Sequence, residues 1–274
     1  MDKPIVLLAG HSFVKHERLN QVDFNHLPFY SEGFPKPGLC YRDLEPKGPS
    51  YSGSSLIDEL RARCQCHRRP RPSVLALVLG DNDFSNYDRV THRCSPHESV
   101  HEVIAHPHVT AQSWIDSAVY LANNLNIPNL VMCPVLPRFF LCEDPGPGNV
   151  ERLPARRQNQ DKPGEGARRH NRLLKNQMKF DKWSLDSSNY HALAGRQVNN
   201  ALSQKLSKNI WRSRGGVSIA FLGFEPFKTL MPSNFEECNK NFIERHGYRD
   251  CVHPSPETFR DLYLNNLQKV INKL

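Results

Sequence analysis

The chain has 274 residues, a net charge of +8 and a hydrophobic share of 38%. That length suffices for one large α/β domain or two small ones, with a core that needs no disulfide or metal to hold it. Its mean hydropathy is −0.59, and no apolar run approaches the ~20 residues that span a bilayer, which excludes a membrane-spanning helix and predicts polar insertions around an ordinary core.

Met1-Asp2-Lys3-Pro4 leads into a short apolar run, Ile5 to Ala9, that ends at Gly10. With a short apolar stretch and no small-residue cleavage site, it reads as a buried strand and not as a secretory leader. The expected location is therefore cytoplasmic or nuclear. The eight cysteines (Cys40, Cys64, Cys66, Cys94, Cys133, Cys142, Cys238 and Cys251) are then expected to be reduced thiols. Pro28, Gly33, Pro35, Pro37, Gly38, Pro46 and Gly48-Pro49-Ser50 make the next stretch read as loop.

Leu56, Ile57 and Leu60 share one helical face in a predicted helix over 56–63. Ser73 to Leu79 is the second buried strand, again closed by a glycine, Gly80. From Thr110 to Asn126, apolar residues from Trp114 to Leu125 recur at helical spacing until Pro128 stops the run. Leu130 to Val135 is a third strand and Val217 to Leu222 a fourth. Between them, Glu143 to Ala167 is polar and reads as a mobile loop, Asn171 to Phe180 as a helix, and 181–213 yields only a central helix. Phe259 to Leu274 closes the chain as an amphipathic helix. Alternating strands and helices predict a three-layer α/β/α sandwich with a mostly parallel central sheet. The chain reads as one domain, 1–274, with a polar insertion near 143–213.

In such a sheet, ligands bind beyond the carboxyl ends of the strands. Gly10-His11-Ser12 follows the first strand and Gly80-Asp81-Asn82-Asp83 the second, while Asp250-Cys251-Val252-His253-Pro254-Ser255 precedes the last helix. A weaker piece, Ser52-Gly53-Ser54, leads into the helix at Leu56. In this order the blocks resemble the SGNH (GDSL-like) hydrolase family, whose signatures are Gly-Asp-Ser, a second-block glycine, Gly-x-Asn-Asp and Asp-x-x-His. They bracket nearly the whole chain.

The resemblance implies a flavodoxin-like fold and a serine esterase acting on a small-molecule acyl ester without a cofactor. It makes Ser12 the nucleophile, His253 the base and Asp250 the residue that orients the imidazole. The same resemblance gives the oxyanion hole to the backbone N–H groups of Ser12 and Gly53 and the side-chain amide of Asn82. Gly48 is a second glycine in the loop that holds Gly53. These residue types suit the chemistry, because a serine hydroxyl attacks only when a base takes its proton, and histidine does so near neutral pH. The chain departs from the family at His11, where aspartate is usual, and the interval from Asn82 to Asp250 is long.

The positive charge supports a second reading, an SGNH-like module of weak catalytic power that binds nucleic acid through basic loops. Its clusters are Arg61, Arg63, Arg68, Arg69 and Arg71, and Arg152, Arg156, Arg157, Arg168, Arg169 and Arg172. No aromatic strand motif for stacking bases accompanies them. Cys64-x-Cys66-His67 is spaced too closely for a structural zinc site and reads as solvated loop cysteines. His92, His97, His101, His106 and His108 present no common ligand face, so no metal is expected. Trp114 and Phe221 are expected in the core.

Overall fold

A computed structural model describes residues 3–10, 14, 29–35, 39–44, 56–64, 71–88, 93–96, 100–136, 185–206, 211–213, 216–223 and 254–274. The strands are β1 (Ile5–Gly10), β2 (Tyr30–Pro35), β3 (Val74–Val78), β4 (Ser85–Asp88), β5 (Arg93–Pro96), β6 (Asn129–Met132), β7 (Trp211–Arg212) and β8 (Ser218–Phe221). The helices are α1 (Leu56–Cys64), α2 (Val100–Ala105), α3 (Pro107–Leu125), α4 (Leu185–Leu206), α5 (Pro256–Phe259) and α6 (Asn265–Ile271). The main sheet has the order β2-β1-β3-β6-β8-β7. Every pairing from β2 to β8 is parallel, and only the two-residue edge strand β7 runs antiparallel. β4 and β5 form a separate antiparallel pair.

Alternation along the strands sorts the core into two layers. Leu7 and Ala9, Leu75 and Leu77, and Leu130 and Met132 join one cluster with residues of α1, α2, α3 and α4. Val6 and Leu8, Val74, Ala76 and Val78, and Val131 join the other, under Phe259, Tyr263, Leu264 and Leu267. Because successive side chains of a strand point to opposite faces, a strand apolar at every position is a strand covered on both sides. The result is the expected three-layer α/β/α sandwich.

The strands predicted from unbroken apolar runs are all present. The stretch expected to be loop after Pro28 also contains β2, an edge strand. Its Pro35 sits at the strand end, where an absent N–H costs nothing, and Tyr30 is exposed. The β4–β5 pair, α2 and β7 add to the predicted elements. The indistinct region 181–213 contains the 22-residue α4. Cys64, expected in a solvated loop, is instead the last residue of α1 and is buried. The helix runs one residue further than predicted and turns Cys64 onto the same face as Leu60, four residues earlier. The predicted mobile loop at 143–167 and helix at 171–180 lie outside the described residues. Trp114 is buried as expected, and Phe221 is partly buried against both clusters. Among the described residues, no helix is long and apolar enough to cross a membrane.

Candidate active site at the carboxyl edge of the sheet

Counting only its parallel strands, the sheet follows the flavodoxin-like order, with β2 to one side of β1 and β3, β6 and β8 to the other. The chain reverses its direction of progress between β1 and β3. That switch point leaves a crevice at the carboxyl ends, where α/β proteins bind their ligands. Gly10, the end of β1, is in register with Val78 of β3. The chain therefore leaves β1 at Gly10 beside the end of β3, the strand that leads to Asn82.

Gly10 is required by close approach. A Cβ there would lie 2.1 Å from the Val78 carbonyl oxygen. Gly80 is required twice over: its φ is +111°, and a Cβ would lie 2.5 Å from Val135 Cγ2 and 2.9 Å from the Trp114 ring.

After Gly80 the chain folds into a 3-10 turn, Asp81–Phe84, in which the Asp83 N–H donates to the Gly80 carbonyl at 3.1 Å. Asp81, Asn82 and Phe84 are buried. Asn82 Nδ2 donates to the Leu39 carbonyl at 3.2 Å, which fixes the plane of its amide. Both carboxylate oxygens of Asp83 accept from the Tyr41 N–H, at 3.1 and 3.0 Å. The turn is thus laced to a second 3-10 turn, Tyr41–Leu44, where Asp43 Oδ2 accepts from the Cys40 N–H at 2.9 Å. Tyr41 stacks on Trp114 with centroids 4.4 Å apart, and Phe84 packs against the same indole at 5.7 Å.

The other side of the turn meets α4. His191 is buried, and its Nε2 lies 2.9 Å from the Asp81 carbonyl oxygen. A carbonyl can only accept, so Nε2 carries the proton and donates. The imidazole meets the Phe84 ring edge-on at 5.3 Å. Four residues on, a Cβ on Gly195 would lie 3.7 Å from Val135 Cγ1. Four further, Asn199 accepts from the Val135 N–H at 2.9 Å and donates to the Val135 carbonyl at 3.0 Å. One stripe of α4 therefore grips the chain just beyond both β3 and β6.

The C-terminal helical segment reaches this same edge through Tyr263. Ser255 Oγ accepts from the Thr258 N–H at 3.1 Å and so caps α5, whose first residue is Pro256. Tyr263 donates its hydroxyl to the Pro134 carbonyl, just past β6, at 3.3 Å. Pro254, the residue after His253, is buried.

Of the expected site residues, Asn82 stands in the described turn at the carboxyl edge. Ser12, Gly53, Asp250 and His253, like His11, lie outside the described residues. His191 and Asn199 were not among the expected site residues. Their signal is a four-residue spacing of polar, glycine, polar positions inside the central helix expected in 181–213, to which no buried face was assigned.

The free thiols Cys40, Cys64 and Cys133 are buried. Burial pushes the Cys133 thiol far above its ordinary range, which makes it inert as a nucleophile. Tyr41 is likewise held protonated well above its ordinary value, first by burial and then by the neighbouring Cys133 and Asp83. Among the described residues, no three His, Cys, Asp or Glu side chains come together in a way that could hold a metal ion. Of the first arginine cluster, Arg61 pairs with Asp58 at 3.0 Å. Arg63 pairs with Glu32 at 2.7 Å and donates to the Gly33 carbonyl at 3.2 Å. The second cluster lies outside the described residues. Compared with known proteins, the chain matches no family model and no curated protein.

Proposed function

We propose that this chain is a serine hydrolase of the SGNH type that cleaves a small-molecule acyl ester. The observation that carries the reading is the buried turn holding Asn82 at the β1–β3 switch point, beside the strand that leads to Ser12. The last helical segment, which directly follows Asp250 and His253 in sequence, bonds to the same edge through Tyr263 and the Pro134 carbonyl, and this supports the reading.

In this reaction Ser12 Oγ attacks the acyl carbon while His253 takes the hydroxyl proton, with Asp250 steadying the imidazolium. The carbonyl oxygen becomes an oxyanion held by the N–H groups of Ser12 and Gly53 and by the Asn82 amide. The C–O bond then breaks and His253 returns the proton to the departing alcohol. Water repeats the sequence on the acyl-serine, releasing the acid and restoring Ser12. No cofactor enters these steps. Donors fixed before the charge develops are the efficient kind, because nothing reorganises at the moment of reaction, and one such donor is worth about 10²–10³ in kcat.

The nucleic-acid reading gains less support, because Arg63 is spent on Glu32 and Gly33 of its own chain. A fluorophosphonate probe separates hydrolase from non-hydrolase directly. Wild type is labelled and Ser12→Ala is not; equal labelling of the two removes Ser12 as the activated nucleophile.

A further inference from the structure

His191 has no part in the chemistry just described, yet it makes a buried hydrogen bond to the residue before Asn82. We infer that His191 is a positioning residue, whose Nε2–H sets the Asp81 peptide and through it the aim of the Asn82 amide at the oxyanion. The inference rests on the hydrolase reading and assigns that site a control element on α4.

Three observations carry it. The Asp81 carbonyl accepts from His191 at 2.9 Å in a buried setting, so the bond is not shared with bulk water. Phe84, at the other end of the same turn, packs its ring against the imidazole, so His191 touches the turn on both sides of Asn82. Asn199 and Gly195 fix the height and angle of α4 against Val135. The imidazole is therefore presented by a helix that is itself anchored at the sheet edge. Asn82 is steered from its other flank by the Leu39 carbonyl. A displaced Asp81 carbonyl rotates the peptide that follows and carries the Asn82 side chain with it, and small misplacements of a donor cost much in rate.

The test is a double-mutant cycle on p-nitrophenyl acetate hydrolysis, combining His191→Leu with Asn82→Ala. In the wild-type background His191→Leu is expected to lower kcat about 10-fold to 100-fold with KM changed less than about 2-fold, the signature of an interaction felt in the transition state. His191→Gln, which keeps an N–H donor, is expected to recover most of that loss. In the Asn82→Ala background His191→Leu is expected to cost less than about 2-fold, because its effect passes through the missing amide. A merely structural role gives the same loss in both backgrounds, and that result overturns the inference.

Should His191→Leu not fold, His191→Asn, whose shorter amide cannot span the same distance, takes its place in the cycle with the same two outcomes. Wild type lacking Ser12-dependent turnover overturns the hydrolase reading and this inference together. Ser12-dependent turnover with additive losses overturns this inference alone.

Discussion

Two glycines face the two methyl groups of Val135, and they are expected to respond to alanine in opposite directions. At Gly80 the added Cβ arrives 2.5 Å from Cγ2 and 2.9 Å from the Trp114 ring, at a φ of +111°. Overpacking of a filled core costs about 1–3 kcal/mol, and an L side chain at positive φ adds roughly 1–2 kcal/mol. Gly80→Ala is therefore expected to lose about 2–5 kcal/mol. At Gly195 the Cβ would sit 3.7 Å from Cγ1 and 3.9 Å from the Phe84 ring, which is ordinary contact, in the middle of α4. There alanine gains helix propensity, up to about 1 kcal/mol. At roughly 2 °C per kcal/mol for a domain of this size, Gly80→Ala should lower Tm by about 4–10 °C and Gly195→Ala should raise it by about 1–2 °C. Thermal unfolding followed by circular dichroism, with urea titration to check that the slope m is unchanged, measures both. A Gly80→Ala protein as stable as wild type, or a Gly195→Ala protein clearly less stable, would refute the packing described around Val135.

Asn199→Leu leaves the Val135 N–H and carbonyl buried without their partner, a loss of about 2–5 kcal/mol that urea unfolding would report; an unchanged midpoint contradicts it. The Tyr41 hydroxyl is buried and makes no hydrogen bond, so Tyr41→Phe should leave stability unchanged or raise it by up to ~1 kcal/mol. The protons of Cys133 and Tyr41 are held more tightly folded than unfolded. Stability from this source is thus full below the ordinary values of 9.0 and 10.0 and falls as pH rises past them. Chemical unfolding at pH 8, 9.5 and 10.5 should show that decline, and Tyr41→Phe should soften its upper part. Cys133 should resist iodoacetamide at about pH 8 in the native chain and react in urea, as mass spectrometry of the tryptic peptides would reveal.

The interior of this fold was legible because β1, β3 and β6 are covered on both faces, and burial of that kind writes continuous apolar runs. β2 escaped notice for the opposite reason. At the sheet edge its Glu32 and Gly33 serve Arg63, and the strand needs no apolar run of its own. The helix α4 was hard to phase because its buried stripe contains His191, Ala194, Gly195, Val198 and Asn199. Small and polar residues blur the period that hydrophobic ones would print, and here they are used because the helix must come close to the sheet edge and bond to it. Asn82 could be singled out from its sequence block, since a glycine that ends a strand and precedes Asn-Asp is a local pattern. His191 could not, because the partner that gives it meaning is a backbone carbonyl 110 residues away.

The C-terminal helical segment contains a π-helical turn, Arg260–Leu264, closed by the Asn265 N–H bonding to the Arg260 carbonyl. Such a turn accommodates one residue more than regular winding would. Removing one residue there would restore ordinary pitch but rotate everything upstream by about 100° relative to α6. With Leu267 still seated in the core, Tyr263 would swing off Pro134, and the capped start at Ser255 would face a different direction. The bulge therefore acts as a phase adjuster. It sets the rotation of the capped start at Ser255 and Pro256 relative to Leu267 and the rest of α6, which packs on the core.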